Sequence, residues 1–243
     1  MNLRLLASSI MISALMLLSA GCRYGPAKPE AAVQRPDQVS KFGVLYQQNC
    51  AACHGANGKH GAAISLANPV YLALAGIDMI QKKTANGVPG TLMPAFAKNQ
   101  GGMLTDQQVA ILAQGLESAW GKPGVFQGQP IPPYASTSGG DPKEGQTAFV
   151  TFCASCHGGD GAGAKSKQGS MGSLVDPAYL ALISDQGLRS LIIAGQPEDG
   201  MPDWRSDRTG AGSRAMTDKE VTDIVAWLAS HRVATPGQPY VHP

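Results

Sequence analysis

Aromatic residues make up 6% of this 243-residue chain and charged residues 15%. That is too little ring bulk for a large conventional core, so something other than side chains is expected to fill the interior. An excess of one charge sign is also missing: 19 Lys and Arg stand against 17 Asp and Glu, a net charge of +2. The balance disfavours a nucleic-acid binder and a charge-driven disordered chain, and it predicts little electrostatic steering of partners. Cysteine is scarce and odd in number, five in all, at position 22, then 50 and 53, then 153 and 156. Such a grouped set is not a disulfide framework. What the chain does have is turn chemistry, with 30 Gly and 17 Pro.

The first 21 residues read as an export signal. Met1 to Arg4 carry a basic side chain, and Leu5 to Ala20 is a run of 16 residues without charge. A spanning helix needs about 20 apolar residues, so the run is short for a membrane anchor. It ends Leu18-Ser19-Ala20-Gly21-Cys22, which resembles a bacterial lipobox. That resemblance implies a diacylated Cys22 as the mature N-terminus, holding the protein on the outer, periplasmic face of a bacterial membrane. Residues 22–40 contain Pro26, Pro29 and Pro36 and read as a flexible tether.

The rest of the chain repeats itself. The segment Leu66 to Phe96 aligns without a gap on Leu174 to Trp204, and ten of the 31 pairs are identical. Upstream, Cys50-Ala-Ala-Cys53-His54-Gly55 matches Cys153-Ala-Ser-Cys156-His157-Gly158. Downstream, Thr105 to Gln108 and Thr217 to Glu220 both fit a helix-opening capping box. Two related domains follow, 41–121 and 141–235, joined by a Pro/Gly-rich linker at 122–140 and followed by a tail at 236–243. Both are predicted to be helical. Short helices over Lys41 to Asn49 and Lys143 to Phe152 lead into the Cys motifs, with Tyr46 and Phe149 on the face of the first Cys. A second helix opens at Pro69 and Pro177, and a terminal helix carries apolar residues at 3- and 4-residue spacing. Domains this small often need a staple.

Cys-x-x-Cys-His is the attachment signature of c-type haem. Two thiols on one helical turn can each add to a vinyl group of one porphyrin, while the adjacent His projects toward the iron. A thioredoxin-like pair would follow a strand in a βαβ pattern, which is absent. A zinc site would need the two motifs to converge and would leave both His residues unexplained. We therefore expect two haem c groups, bound covalently by Cys50, Cys53, Cys153 and Cys156, with His54 and His157 on the irons. Met93 and Met201, each before Pro and each in the same place in the repeat, are the candidates for the opposite axial position. Met79, Met103, Met171 and Met216 have no such partner and read as core filler. His60, His231 and His242 are unpaired in the repeat, and the first two read as solvent-facing.

With these motifs in place, each unit resembles a class I cytochrome c domain. The resemblance covers nearly all of 41–232. It implies an all-α fold of two tandem domains, each wrapped around its haem, with the terminal helix packed across the first. It also implies that a backbone carbonyl orients each His, with Pro69 and Pro177 as candidates, and that Tyr71, Phe96, Tyr179 and Trp204 line the pockets. Irons with His and Met ligands have no vacant site for a small-molecule substrate, so the expected function is one-electron transfer rather than catalysis. The partners are then redox proteins in or at the membrane, met as a tethered shuttle or as a subunit of a respiratory or photosynthetic complex. A dihaem peroxidase and an electron-accepting subunit of a periplasmic dehydrogenase are the alternatives.

Overall fold

The structure is a computed structural model that describes residues 34–166, 169–205 and 214–236. The signal, most of the tether, Cys22 and His242 lie outside the described residues, so the anchor reading has no structural counterpart. From Val39 onward the described residues form one compact unit, and it contains both copies of the repeat. The described residues before it make a single 3-10 turn at Pro36–Gln38.

Each copy is built from helices in the same order. The first has α1 (Phe42–Asn49), α2 (Ala51–His54), α3 (Pro69–Asn86) and α4 (Asp106–Trp120). The second has α5 (Pro142–Phe152), α6 (Ala154–His157), α7 (Pro177–Leu182), α8 (Asp185–Ala194) and α9 (Asp218–Ser230). The strands among the described residues are β1 (Lys165–Ser166) and β2 (Gly169–Ser170), a two-residue antiparallel ladder. The fold is thus all-α apart from this small hairpin.

Local chemistry explains the helix ends. Pro69 and Pro177 sit in the first turn, where a missing N–H costs nothing, behind the caps Asn68 and Asp176. Thr105 with Gln108 and Thr217 with Glu220 close full capping boxes on α4 and α9. The second helix of each copy is broken at one alignment position. Gly76 leaves helical geometry in α3 (φ 72°, ψ 160°), and Ser184, its counterpart, caps α8, which makes α7 and α8 separate helices.

The first and last helices of each copy cross. In the second copy the crossing is tight: a Cβ on Gly145 of α5 would lie 1.9 Å from the Asp223 carbonyl oxygen of α9. Aromatic pairs fill both crossings, Tyr46 on Trp120 at 5.1 Å and Phe149 on Trp227 at 4.3 Å between ring centroids. Leu45, Leu72, Val109, Leu112 and Leu116 are buried around the first pair, and Leu180, Ile193, Val221, Ile224 and Leu228 around the second.

The copies share more surface than a linker would impose. Helix α3 packs on α8, and Val70 and Leu74 of α3 are buried in the second copy's core. Burial of side chains this size contributes about 1.5–3 kcal/mol each. Tyr71 packs against both clusters. The linker is held as well. Arg189, 3% exposed, donates to the carbonyls of Pro133 and Tyr134 and to Thr222 Oγ1, and pairs with Asp218. Phe126 stands edge-on to Trp204 at 5.7 Å.

Candidate haem sites

Helix α1 delivers Cys50 as its C-terminal cap, and α2 then carries Cys53 and His54 on one short turn. Helices α5 and α6 do the same for Cys153, Cys156 and His157. Each turn ends on a glycine of positive φ, Gly55 (82°) and Gly158 (76°). None of the four Cys is in a disulfide. Cys50 packs on the first core cluster and Cys153 on the second, so the two motifs serve separate sites.

Burial, with the neighbouring Cys53 sulfur second, pushes the Cys50 thiol up to about 11. Burial, with Cys156 second, pushes the Cys153 thiol up to about 12. A redox-active Cys-x-x-Cys pair has its thiol pKa lowered, so these thiols are of the opposite kind.

Burial also lowers the His54 pKa, against the opposing pull of the Ile64 carbonyl. His54 Nδ1 lies 2.8 Å from Ile64 O. A carbonyl only accepts, so Nδ1 carries the proton and Nε2 keeps a lone pair, the state a metal-ligating imidazole requires. This corrects the assignment of the orienting carbonyl to Pro69. Pro69 sits five residues further on, committed to the first turn of α3. In the second copy burial again lowers the His157 pKa, but its Nδ1 is buried without a hydrogen-bond partner. Pro177 therefore does not orient His157 either. The intervening chain is longer, 20 residues from His to Pro against 15, and it carries the β1–β2 hairpin. Neutral, desolvated imidazoles beside paired free thiols fit a covalently bound haem.

The Met-Pro loops are built alike. Helix α3 ends at Gly87 (φ 70°, ψ −170°) and α8 at Gly195 (φ 66°, ψ −174°). A Cβ on Gly87 would lie 2.7 Å from the Pro94 carbonyl carbon and 2.8 Å from Met93 O. On Gly195 it would lie 2.5 Å from both the carbonyl carbon and oxygen of Pro202. The loop thus rests on a bare glycine backbone in each copy. Hydrogen bonds fix it there, Val88 N to Met93 O at 3.1 Å and Gln196 N to Met201 O at 2.9 Å. Met93 and Met201 are both half-buried.

Phe96 is half-buried against the first cluster and Trp204 fully buried in the second. Burial raises the pKa of the Tyr71 and Tyr179 hydroxyls. Two smaller expectations change. Met103 is 81% exposed and fills no core, whereas Met216 is buried. His231 is half-buried, its ring edge-on to Trp227 at 4.9 Å, while His60 is exposed and lies 3.6 Å from Asp199. The glycine platforms and Ile64 were missed in the sequence. Gly87 and Gly195 were visible as an identical pair in the repeat, but Ile64 left no signal.

The Cytochrome c family matches residues 142–232, over the second motif and loop. The family described as cytochrome c oxidase, cbb3-type, subunit III matches residues 37–114, over the first. This chain is a dihaem c-type cytochrome. The cytochrome is 31% identical over 130 residues to the cbb3-type cytochrome c oxidase subunit CcoP of Azospirillum sp. (strain B510), an alignment covering 49% of this chain and 39% of that one. It is 28% identical over 169 residues to subunit FixPc of Rhizobium leguminosarum bv. viciae, covering 65% of this chain and 52% of that one. The cytochrome therefore spans about half the length of these relatives, or less. Among the described residues no helix is long and apolar enough to cross a membrane.

Proposed function

We propose that the cytochrome relays single electrons as the dihaem component of a respiratory complex of the cbb3-oxidase kind. The observation that carries this reading is the duplication of a complete site: a Cys-x-x-Cys-His turn with its imidazole desolvated, followed by a Met-Pro loop seated on glycine. Cys50, Cys53, Cys153 and Cys156 would hold the groups, and His54, His157, Met93 and Met201 would ligate the irons. Bound haem c supplies a one-electron iron couple whose potential a Met ligand raises. The chain's own contribution is to fix His54 in one tautomer, to hold both Met loops, and to surround the sites with low-dielectric side chains. The two oxidase-subunit relatives favour a fixed partner in a membrane complex over a free shuttle.

The test is the ferric spectrum of the full chain. Two low-spin haems, each with the methionine charge-transfer band, are expected. Met201→Ala should retain both covalent haems and turn one site high-spin. An unchanged spectrum would refute the ligand assignment, and a native high-spin fraction responsive to peroxide would favour the peroxidase reading.

We propose further that the chain is exported and lipid-anchored through Cys22, which the lipobox-like sequence supports. Cys22→Ser should move the cytochrome into the soluble exported fraction. Retention in washed membranes would point instead to an uncleaved apolar segment or to a tightly held partner.

A further inference from the structure

Asn68 stands at a repeat position where its counterpart is Asp176. Both residues cap the N-terminus of the helix that follows. Asn68 Oδ1 accepts from Val70 N at 2.9 Å and Tyr71 N at 3.3 Å, and Asp176 Oδ1 accepts from Ala178 N and Tyr179 N, both at 2.9 Å. Capping needs only an acceptor, and a carboxylate serves as well as an amide. The difference between them lies in the second oxygen or nitrogen. Asp176 is exposed, whereas Asn68 is 3% exposed and its Nδ2 donates to Ala194 O and Gly195 O of the other domain, both at 3.0 Å. An amide can accept and donate at once, and an ionised carboxylate can only accept.

The two acceptors are not arbitrary carbonyls. Ala194 ends α8 and Gly195 is its cap, so their oxygens belong to the set a helix C-terminus leaves unsatisfied. They also form the platform of the Met201 loop. Ile193 O accepts from Trp204 N at 3.1 Å, Gln196 and Met201 exchange two backbone hydrogen bonds at 2.9 and 3.0 Å, and Gly195 underlies Pro202.

We infer that Asn68 is a positioning residue through which the first domain holds the Met201 loop of the second. Methionine ligation in the second domain then depends on the first being docked, while the Met93 loop receives no such support from Asp176. This rests on the proposed role of Met201, but the contact itself does not.

The test uses the full holo-cytochrome and the substitution Asn68→Asp, which keeps the α3 cap and sets a carboxylate against two carbonyl oxygens. Asn68→Ser, which keeps a shorter cap and loses the reach, is the second variant. Amide hydrogen exchange at Gln196 and Met201 should quicken about tenfold or more, as expected for losing two buried hydrogen bonds. The charge-transfer band of one haem should weaken, and Met201→Ala should identify that haem as the second domain's. Unchanged exchange and spectrum in both variants would overturn the inference, as would changes confined to the Met93 loop. If Met201→Ala leaves the spectrum intact, the ligand assignment fails instead, and the exchange measurement still decides whether Asn68 holds the loop.

Discussion

Replacing Cys153 and Cys156 together by Ala should leave a chain carrying one covalent haem in place of two. The motifs lie against separate core clusters, so Cys50 and Cys53 cannot stand in for the lost pair. His157 remains, but a coordinate bond does not survive the denaturing conditions under which thioether attachment is scored. The effect on folding should be as large. The second domain's helices run only 6 to 13 residues apart from the single turn α6, and short helices around a thin core often need a staple. We expect haem staining on a denaturing gel to fall by half and helical circular dichroism to drop. The matching change, Cys50 with Cys53 to Ala, should remove the other half. Full haem content in either double variant would show that attachment lies elsewhere.

The second large effect belongs to Gly195→Ala. Gly195 has φ 66° and ψ −174°, a region that only glycine occupies freely, so any side chain there costs about 1–3 kcal/mol in backbone strain. The new methyl group would also stand 2.5 Å from the Pro202 carbonyl and 2.7 Å from Asp203 N, backbone atoms that cannot rotate away. The loop must lift. We expect a total loss of about 2–4 kcal/mol in denaturant unfolding together with loss of the second haem's methionine band. Gly76→Ala is the control, since Gly76 shares the backbone region at φ 72°, ψ 160° but has nothing within 4 Å of its would-be Cβ. It should show the strain alone, with both bands intact. A Gly195→Ala protein no worse than Gly76→Ala would sink the claim that the loop rests on this glycine.

Much of this arrangement is legible in the residues because its determinants are local. A capping box, a proline in the first turn and a Cys-x-x-Cys-His turn each lie within a few positions, and the repeat announces each twice. Apolar spacing marks the terminal helices α4 and α9, but nothing in the sequence says that Val70 and Leu74 of α3 enter the other domain's core, since a repeat carries no address. In the sequence Asn68 is only the residue before Pro69 in the repeat. Its hold on the other domain uses carbonyls 126 and 127 residues away. Ile64 acts through its backbone, which leaves no side-chain signature at all. Arg189 is the plainest case: an arginine within a short helix ordinarily faces water, yet here it is buried because the linker's carbonyls come to meet it.

That arginine changes what the proline-rich stretch between the domains is. Composition suggests a joint, but with Pro132 buried and the next two carbonyls tied down, the stretch acts as a strut. Its length is then absorbed into the second domain instead of separating the two. A protease needs several residues of free extended chain to thread its cleft, and around Pro132 the linker does not offer them without first releasing Arg189.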